Sequence, residues 1–175
     1  MRLMPRSPLA TVETGEWPAN PQMMKVWRLT RPEHVALNGA GAAKLGGRYS
    51  SPGTPLVNFA SDAGLAVLVA LRYAQATPET FDADFVLGWT TISQEAERVP
   101  HELTDEGKVA FVDAWAAERR SLIVAVQSAV LPEADIILMN PLHPDASDVA
   151  PLCTRPFRFA DCLHRPPMLE RYAAR

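Results

Sequence analysis

At 175 residues, 47% apolar and 21% charged, the chain has the length for one domain with a single buried core and the composition of an ordinary water-soluble globular protein. Its net charge is −3 and its basic residues are dispersed, so no basic face marks direct nucleic-acid binding. No apolar run reaches the roughly 20 residues of a membrane helix, and Met1-Arg2-Leu3-Met4-Pro5-Arg6 lacks the apolar core of a secretory signal, so a cytoplasmic protein is expected.

Residues 1–22 mix Pro, Ser, Thr, Glu and Gly without periodicity and read as a loosely ordered extension, with the domain proper over 23–175. Lys25-Val26-Trp27-Arg28-Leu29 predicts the first strand. Leu37 to Pro55, rich in Gly, Ala, Ser and Pro, predicts a long glycine-bearing loop rather than a helix. Leu56 to Ala60 predicts a short strand. A helix follows, capped by Ser61, with Asp62 in its first turn, and running to about Gln75. Leu65, Leu68, Val69 and Arg72 form one stripe and Ala66, Ala70 and Tyr73 the next, which predicts a helix buried nearly all round.

Phe85 to Ile92 predicts a strand, and Thr104 caps a second helix that ends near Arg120, with Val109, Val112, Trp115 and Ala116 on one face. Ser121 to Val126 and Asp135 to Met139 predict two more strands, and Pro156-Phe157-Arg158-Phe159 a last short extended piece. Short strands alternating irregularly with helices favour an α+β domain over a doubly wound parallel sheet.

The chemistry-bearing candidates are few. Gly39-Ala40-Gly41-Ala42-Ala43-Lys44 lacks the third glycine and the flanking elements of a dinucleotide-binding turn. Cys153 and Cys162, nine residues apart, match no zinc or redox spacing and read as reduced thiols. His34, His101, His143 and His164 form no paired metal-ligand motif, so no metal site is expected. Gly46-Gly47-Arg48-Tyr49-Ser50-Ser51-Pro52-Gly53 can expose amides and a guanidinium to an anion, or can be a surface turn with a local salt bridge. Ser128 follows an apolar strand without a nucleophile motif or a nearby base, which leaves a hydrogen-bonding role, functional or structural. Asn140-Pro141 and His143-Pro144 encode turns. Trp27, Trp89, Trp115 and Phe111 are expected in the core.

Taken in order, these landmarks resemble the RES family, named for an Arg, a Glu and a Ser. Trp27-Arg28-Leu29 resembles the opening strand of that family, and Gly46-Gly47-Arg48-Tyr49 with Gly53 and Pro55 its glycine-arginine loop. Leu65-Ala66-Val67-Leu68 resembles its Leu-Ala-x-Leu-Glu-x-Leu helix, Gln127-Ser128-Ala129-Val130-Leu131-Pro132 its Pro-Ser-Ala-Val-Val-Pro segment, and Asn140-Pro141 with His143-Pro144 a further shared stretch. Together with Pro156 to Phe159, the resemblance spans about residues 24–163.

The resemblance implies a compact α+β body like that of ADP-ribosyltransferase toxins, with short antiparallel and mixed sheets and flanking helices. It implies a toxin that cleaves NAD at the nicotinamide–ribose bond, and an Xre-type helix-turn-helix antitoxin as partner, with further self-association inside that complex. NAD enters as substrate, with no metal. Arg48 would clamp the NAD phosphates, Arg28 would be a second basic group, Tyr49 would stack or hydrogen-bond beside them, and Ser128 would hold a ribose or nicotinamide group. Two positions depart from the pattern: the family's glutamate falls at Val69, and its tyrosine, eleven residues earlier, at Asn58. Valine can neither accept a ribose hydrogen bond nor balance an oxocarbenium-like charge. An inactivated copy, a pseudo-enzyme that only binds its antitoxin, and an enzyme drawing its acid from elsewhere all stay open.

Overall fold

The computed structural model describes residues 23–73 and 83–162; the expected N-terminal extension and the end of the first long helix lie outside them. Among the described residues, seven strands and three α-helices follow in the order β1 (Met24–Thr30), α1 (Ala40–Leu45), β2 (Val57–Ala60), α2 (Ala63–Tyr73), β3 (Phe85–Ile92), β4 (Glu97–Arg98), α3 (Asp105–Glu118), β5 (Ile123–Gln127), β6 (Asp135–Met139) and β7 (Cys153–Phe157). The strands form one sheet in the order β4-β5-β6-β2-β1-β3-β7. Only β4 and β5 run parallel; every other neighbouring pair is antiparallel. This is the single-domain α+β architecture expected from the irregular strand–helix alternation.

Strands β5 and β6 read as unbroken apolar runs because both sides of the sheet are covered. Val124, Val126, Ile136 and Leu138 face the side carrying Leu65 and Ala66 of α2 and Val112, Trp115 and Ala116 of α3. Ile123, Ala125, Ile137 and Met139 face the other side, with Val26, Val57 and Phe59, against Leu37, Val149 and Leu152 from connecting segments. Each fully buried Val, Leu or Ile side chain contributes roughly 1.5–3 kcal/mol to this core.

Four expectations need correction. Residues 40–45 are helical, not loop: the Asn38 side chain accepts from Ala40 N–H, and Gly39 and Gly46 take left-handed φ values of 67° and 72° at its two ends. Gly39 admits no side chain, since a Cβ there would lie 2.6 Å from the Leu56 nitrogen. Asp62, not Ser61, caps α2, accepting from Leu65 N–H at 2.8 Å; the Ser61 hydroxyl instead accepts from Asp135 N–H and extends the β2–β6 ladder. Helix α2 buries only Leu65 and Ala66, leaving Leu68, Leu71 and Tyr73 exposed. Trp115 is fully buried as expected, and Trp27 and Phe111, though half-buried, pack against the core, whereas half-buried Trp89 stands outside it. Strand β4, two residues with no hydrophobic pattern, had no signal to read.

Thr104 does cap α3, accepting from Gly107 N–H at 3.1 Å. The far end is held by Asn140, which is buried, donates from Nδ2 to the Ala116 carbonyl at 2.8 Å and accepts from Leu142 N–H. One amide thus closes a turn and satisfies a carbonyl at the helix end. Asn140→Ala strips both partners in a dry site and is expected to lower stability by about 1–3 kcal/mol; urea denaturation should show the midpoint falling at unchanged m-value.

Candidate functional site

Strands β1 and β2 share one paired position, Trp27 with Ala60. Beyond it they part, and two adjoining cavities of about 310 and 220 Å³ lie at this side of the sheet. They share Asn58, Val69, Tyr73 and Ile136 as a common wall. Arg48, Tyr49 and Ser128 line the larger one. Arg28 lines the smaller, together with Trp27 and Thr30.

Arg48 and Tyr49 reach the cavity from a tight turn. Gly47 N–H donates to the Ser50 carbonyl at 2.9 Å, and Gly53 N–H to Ala43 at the end of α1, so the segment folds back on the helix before it. Tyr49 is buried in the core beneath, with the Arg48 guanidinium 5.8 Å from its ring centre. Arg48 also donates to Asp105 in the first turn of α3 at 3.1 Å. Burial pulls the Arg48 pKa down, but Tyr49, Asp105 and Tyr73 outweigh it and hold the guanidinium above its ordinary value. Burial likewise pushes the Tyr49 phenol up, against the opposing pull of Arg48. At neutral pH the pair is therefore a cation beside a protonated phenol.

Ser128 stands at the start of the β5–β6 connection. Its buried hydroxyl accepts from Val130 and Leu131 N–H, both at 3.2 Å, and its own N–H donates to Ala134. A structural role is thus built in. Among the described residues its hydroxyl proton has no acceptor, so it can still donate into the cavity. Asn58 lies opposite Leu138 in the β2–β6 register, and Val69 lies one turn beyond Leu65 on α2. Arg28 is half-buried, and burial lowers its pKa.

A family model described as the RES domain matches residues 25–160. The chain belongs to the RES domain family. This RES domain is 30% identical over 124 residues to the Prs ADP-ribosylating toxin of Sphingobium sp. (strain YBL2), covering 65% of this chain and 77% of that protein. It is 26% identical over 137 residues to Toxin Res of Pseudomonas putida (strain KT2440), covering 70% and 88%. Its fold is similar to that of a chain in the crystal structure of the M. tuberculosis MbcT–MbcA toxin–antitoxin complex, with a TM-score of 0.65 at 18% identity, over 79% of this chain and 86% of that one.

Arg48, Tyr49, Asn58, Val69 and Ser128 of the RES domain converge on one cavity although the chain separates them widely, while Arg28 stands in the adjoining one. No Asp or Glu lines either cavity among the described residues. Asp62 is occupied as the α2 cap, Asp105 lies outside the lining as the Arg48 partner, and Glu79 falls outside the described residues. Sequence reasoning missed Arg72 and Tyr73, which also line the larger cavity. The signal was present: a lone arginine inside an otherwise apolar helical stripe marks a stripe that meets solvent or a ligand. It missed Asp105 too, which holds Arg48 from the first turn of α3.

Ser128→Ala leaves two amides without their acceptor and is expected to cost about 1–3 kcal/mol in stability. Thermal unfolding checks this, and an unchanged midpoint would show that the turn does not need the hydroxyl.

Proposed function

We propose that this protein is the toxin of a bacterial toxin–antitoxin pair whose cleft takes NAD, acts in the cytoplasm, and is weakened as a catalyst by Val69 and Asn58. The observation that carries the reading is the pairing of two adjoining cavities around a shared wall at Val69 and Asn58, the larger with Arg48 and Arg72 and the smaller with Arg28. Such a cleft suits a two-lobed ligand that carries an anionic group: Arg48 forks onto the diphosphate in the larger cavity, Tyr49 flanks it, and Ser128 donates to a ribose or nicotinamide group. Arg28 supplies a second positive charge. The RES family and its ADP-ribosylating relative support NAD as the substrate.

Cleaving the nicotinamide–ribose bond develops positive charge on the ribose. A carboxylate at position 69 would stabilise that charge, and this chain has none there. Losing such a group lowers the rate by about 10²–10⁴-fold. Val69→Glu is therefore expected to restore NAD consumption by about that factor, with Asn58→Tyr raising it further. The helix tolerates the change, since Glu is a better helix former than Val by roughly a few tenths of a kcal/mol. Arg48→Ala in the restored background should abolish the gain. A parent that degrades NAD as fast as the Val69→Glu variant would falsify the placement of the acid. No turnover by single or double reversion, with the fold intact, favours the alternative in which the domain only engages its antitoxin.

The partner reading rests on family and fold neighbours: the similar chain comes from a toxin–antitoxin complex. The exposed Leu68, Leu71 and Tyr73 on α2, beside the cleft, give an apolar surface for a helical Xre-type protein to cover. The domains themselves divide, in this proposal, into an N-terminal extension over 1–22 and the toxin domain over 23–175. Co-expression with the adjacent reading frame should give one complex by size-exclusion chromatography, and replacing Leu68 and Leu71 with Ser should weaken it at least tenfold. Separate elution of the two unaltered proteins counts against the pairing.

A further inference from the structure

We infer that helix α3 sets the anion affinity of the Arg48 loop through two carboxylates of opposite effect: Asp113 as a positioning residue and Asp105 as an internal competitor for the guanidinium. The inference rests on the proposed role of Arg48 as an anion clamp.

Asp113 is committed to the loop. Its carboxylate accepts from Ser51 N–H at 3.1 and 3.3 Å and from the Thr54 hydroxyl at 2.9 Å. These two donors bracket Pro52-Gly53, the far side of the turn that presents Arg48 and Tyr49. Among the described residues Asp113 has no ion-pair partner, so its charge is spent on these loop donors. Gly53 is at φ 100°, and its N–H bonds back to Ala43 of α1, so α1 holds this corner from one side and Asp113 from the other. Asp113 fixes it from outside the cavity, without reaching the ligand space itself.

Asp105 acts at the other end. It lies eight residues, or about 12 Å, earlier along the same helix and takes the Arg48 guanidinium at 3.1 Å. The two side chains are 31% and 64% exposed, so water screens the pair and it is weak. A diphosphate, with two charges and a bidentate edge, displaces it. Until then Asp105 holds one nitrogen of the guanidinium, and an anion that forks onto that nitrogen must displace it. Freeing Arg48 therefore tightens anion binding, whereas freeing the loop loosens it.

The test measures ADP binding to the purified full chain by calorimetry. ADP carries the diphosphate and lacks the nicotinamide–ribose bond, so the result does not depend on turnover. Asp105→Asn should tighten ADP about two- to fivefold, the worth of an exposed pair. Asp113→Ala should weaken it roughly tenfold, and Asp113→Asn, which keeps an acceptor oxygen, should recover most of the loss. Nicotinamide binding, which needs no guanidinium, should not change in the Asp105→Asn variant. Thermal unfolding controls for the fold, and a weakened Asp113→Ala that Asn does not rescue overturns the positioning role. If Arg48→Ala lowers ADP affinity but the Asp105 and Asp113 variants behave as the parent, the inference fails and the clamp stands. If Arg48→Ala has no effect, the clamp itself fails and the inference with it.

Discussion

Strands β1 and β2 lie side by side yet pair at a single position, and most of what is distinctive about the molecule depends on that economy. A continuous ladder would close the gap between the two strands at this point. The structure instead spends full registers on β1–β3 and β2–β6, which anchor the two strands outward to different neighbours. The parted edges expose backbone and side chains of Arg28 to Thr30 and of Asn58 to a common hollow. Helix α2 roofs it, which is why Val69 and Tyr73 face space and only Leu65 and Ala66 are buried.

Rigid elements then bring the rest of the cleft to that hollow. Helix α3 is fixed at its start by Thr104 and at its end by Asn140, so it can serve as a post for the irregular Arg48 segment. The Ser128 turn is locked by its own hydroxyl. Arg28, Asn58 and Val69 sit on regular elements, and of the two loops that complete the cleft the Arg48 segment is pinned to α1 and α3 while the Ser128 turn holds itself. That is the usual way a site gains definition without being built on helices alone.

How much of this could be read from the chain varies with the physics. The strands from Phe85 to Ile92 and from Asp135 to Met139 were legible at nearly their observed limits, because β-branched and aromatic runs bounded by turn residues have few alternatives. Helix α1 was not, since its glycines argued against it and its support is tertiary: Asn38 and the packed turn at Gly39 against Leu56. The exposure of α2 was not either. An apolar helix reads as buried, and nothing local says that the strands beneath it have parted. In the site, Arg48, Tyr49, Asn58, Val69 and Ser128 could be singled out only through motif order, since no spacing along the chain shows that residues 48, 58, 69 and 128 meet. Asp105 and Asp113 carried no signal, because acids on the polar face of a helix are ordinary. Their meaning comes from which loop happens to lie across them.

The absence of an acid at position 69 changes binding as well as chemistry. In the proposed reading the cleft holds three guanidinium groups, those of Arg28, Arg48 and Arg72, and no carboxylate in its lining among the described residues. A glutamate there would stand between them, lowering the local positive potential and repelling a diphosphate while favouring a developing cation on the ribose. Valine reverses both terms. Unit charges within several ångströms in a partly desolvated cleft interact by about a kcal/mol or more at an effective dielectric near 20. The loss in transition-state stabilisation therefore comes with a gain in ground-state attraction for an anion. Enzymes accelerate reactions only through interactions that strengthen on the way to the transition state. Under the proposed reading, a cleft altered in this direction would move from turning over a dinucleotide toward holding one, with its arginines serving the holding.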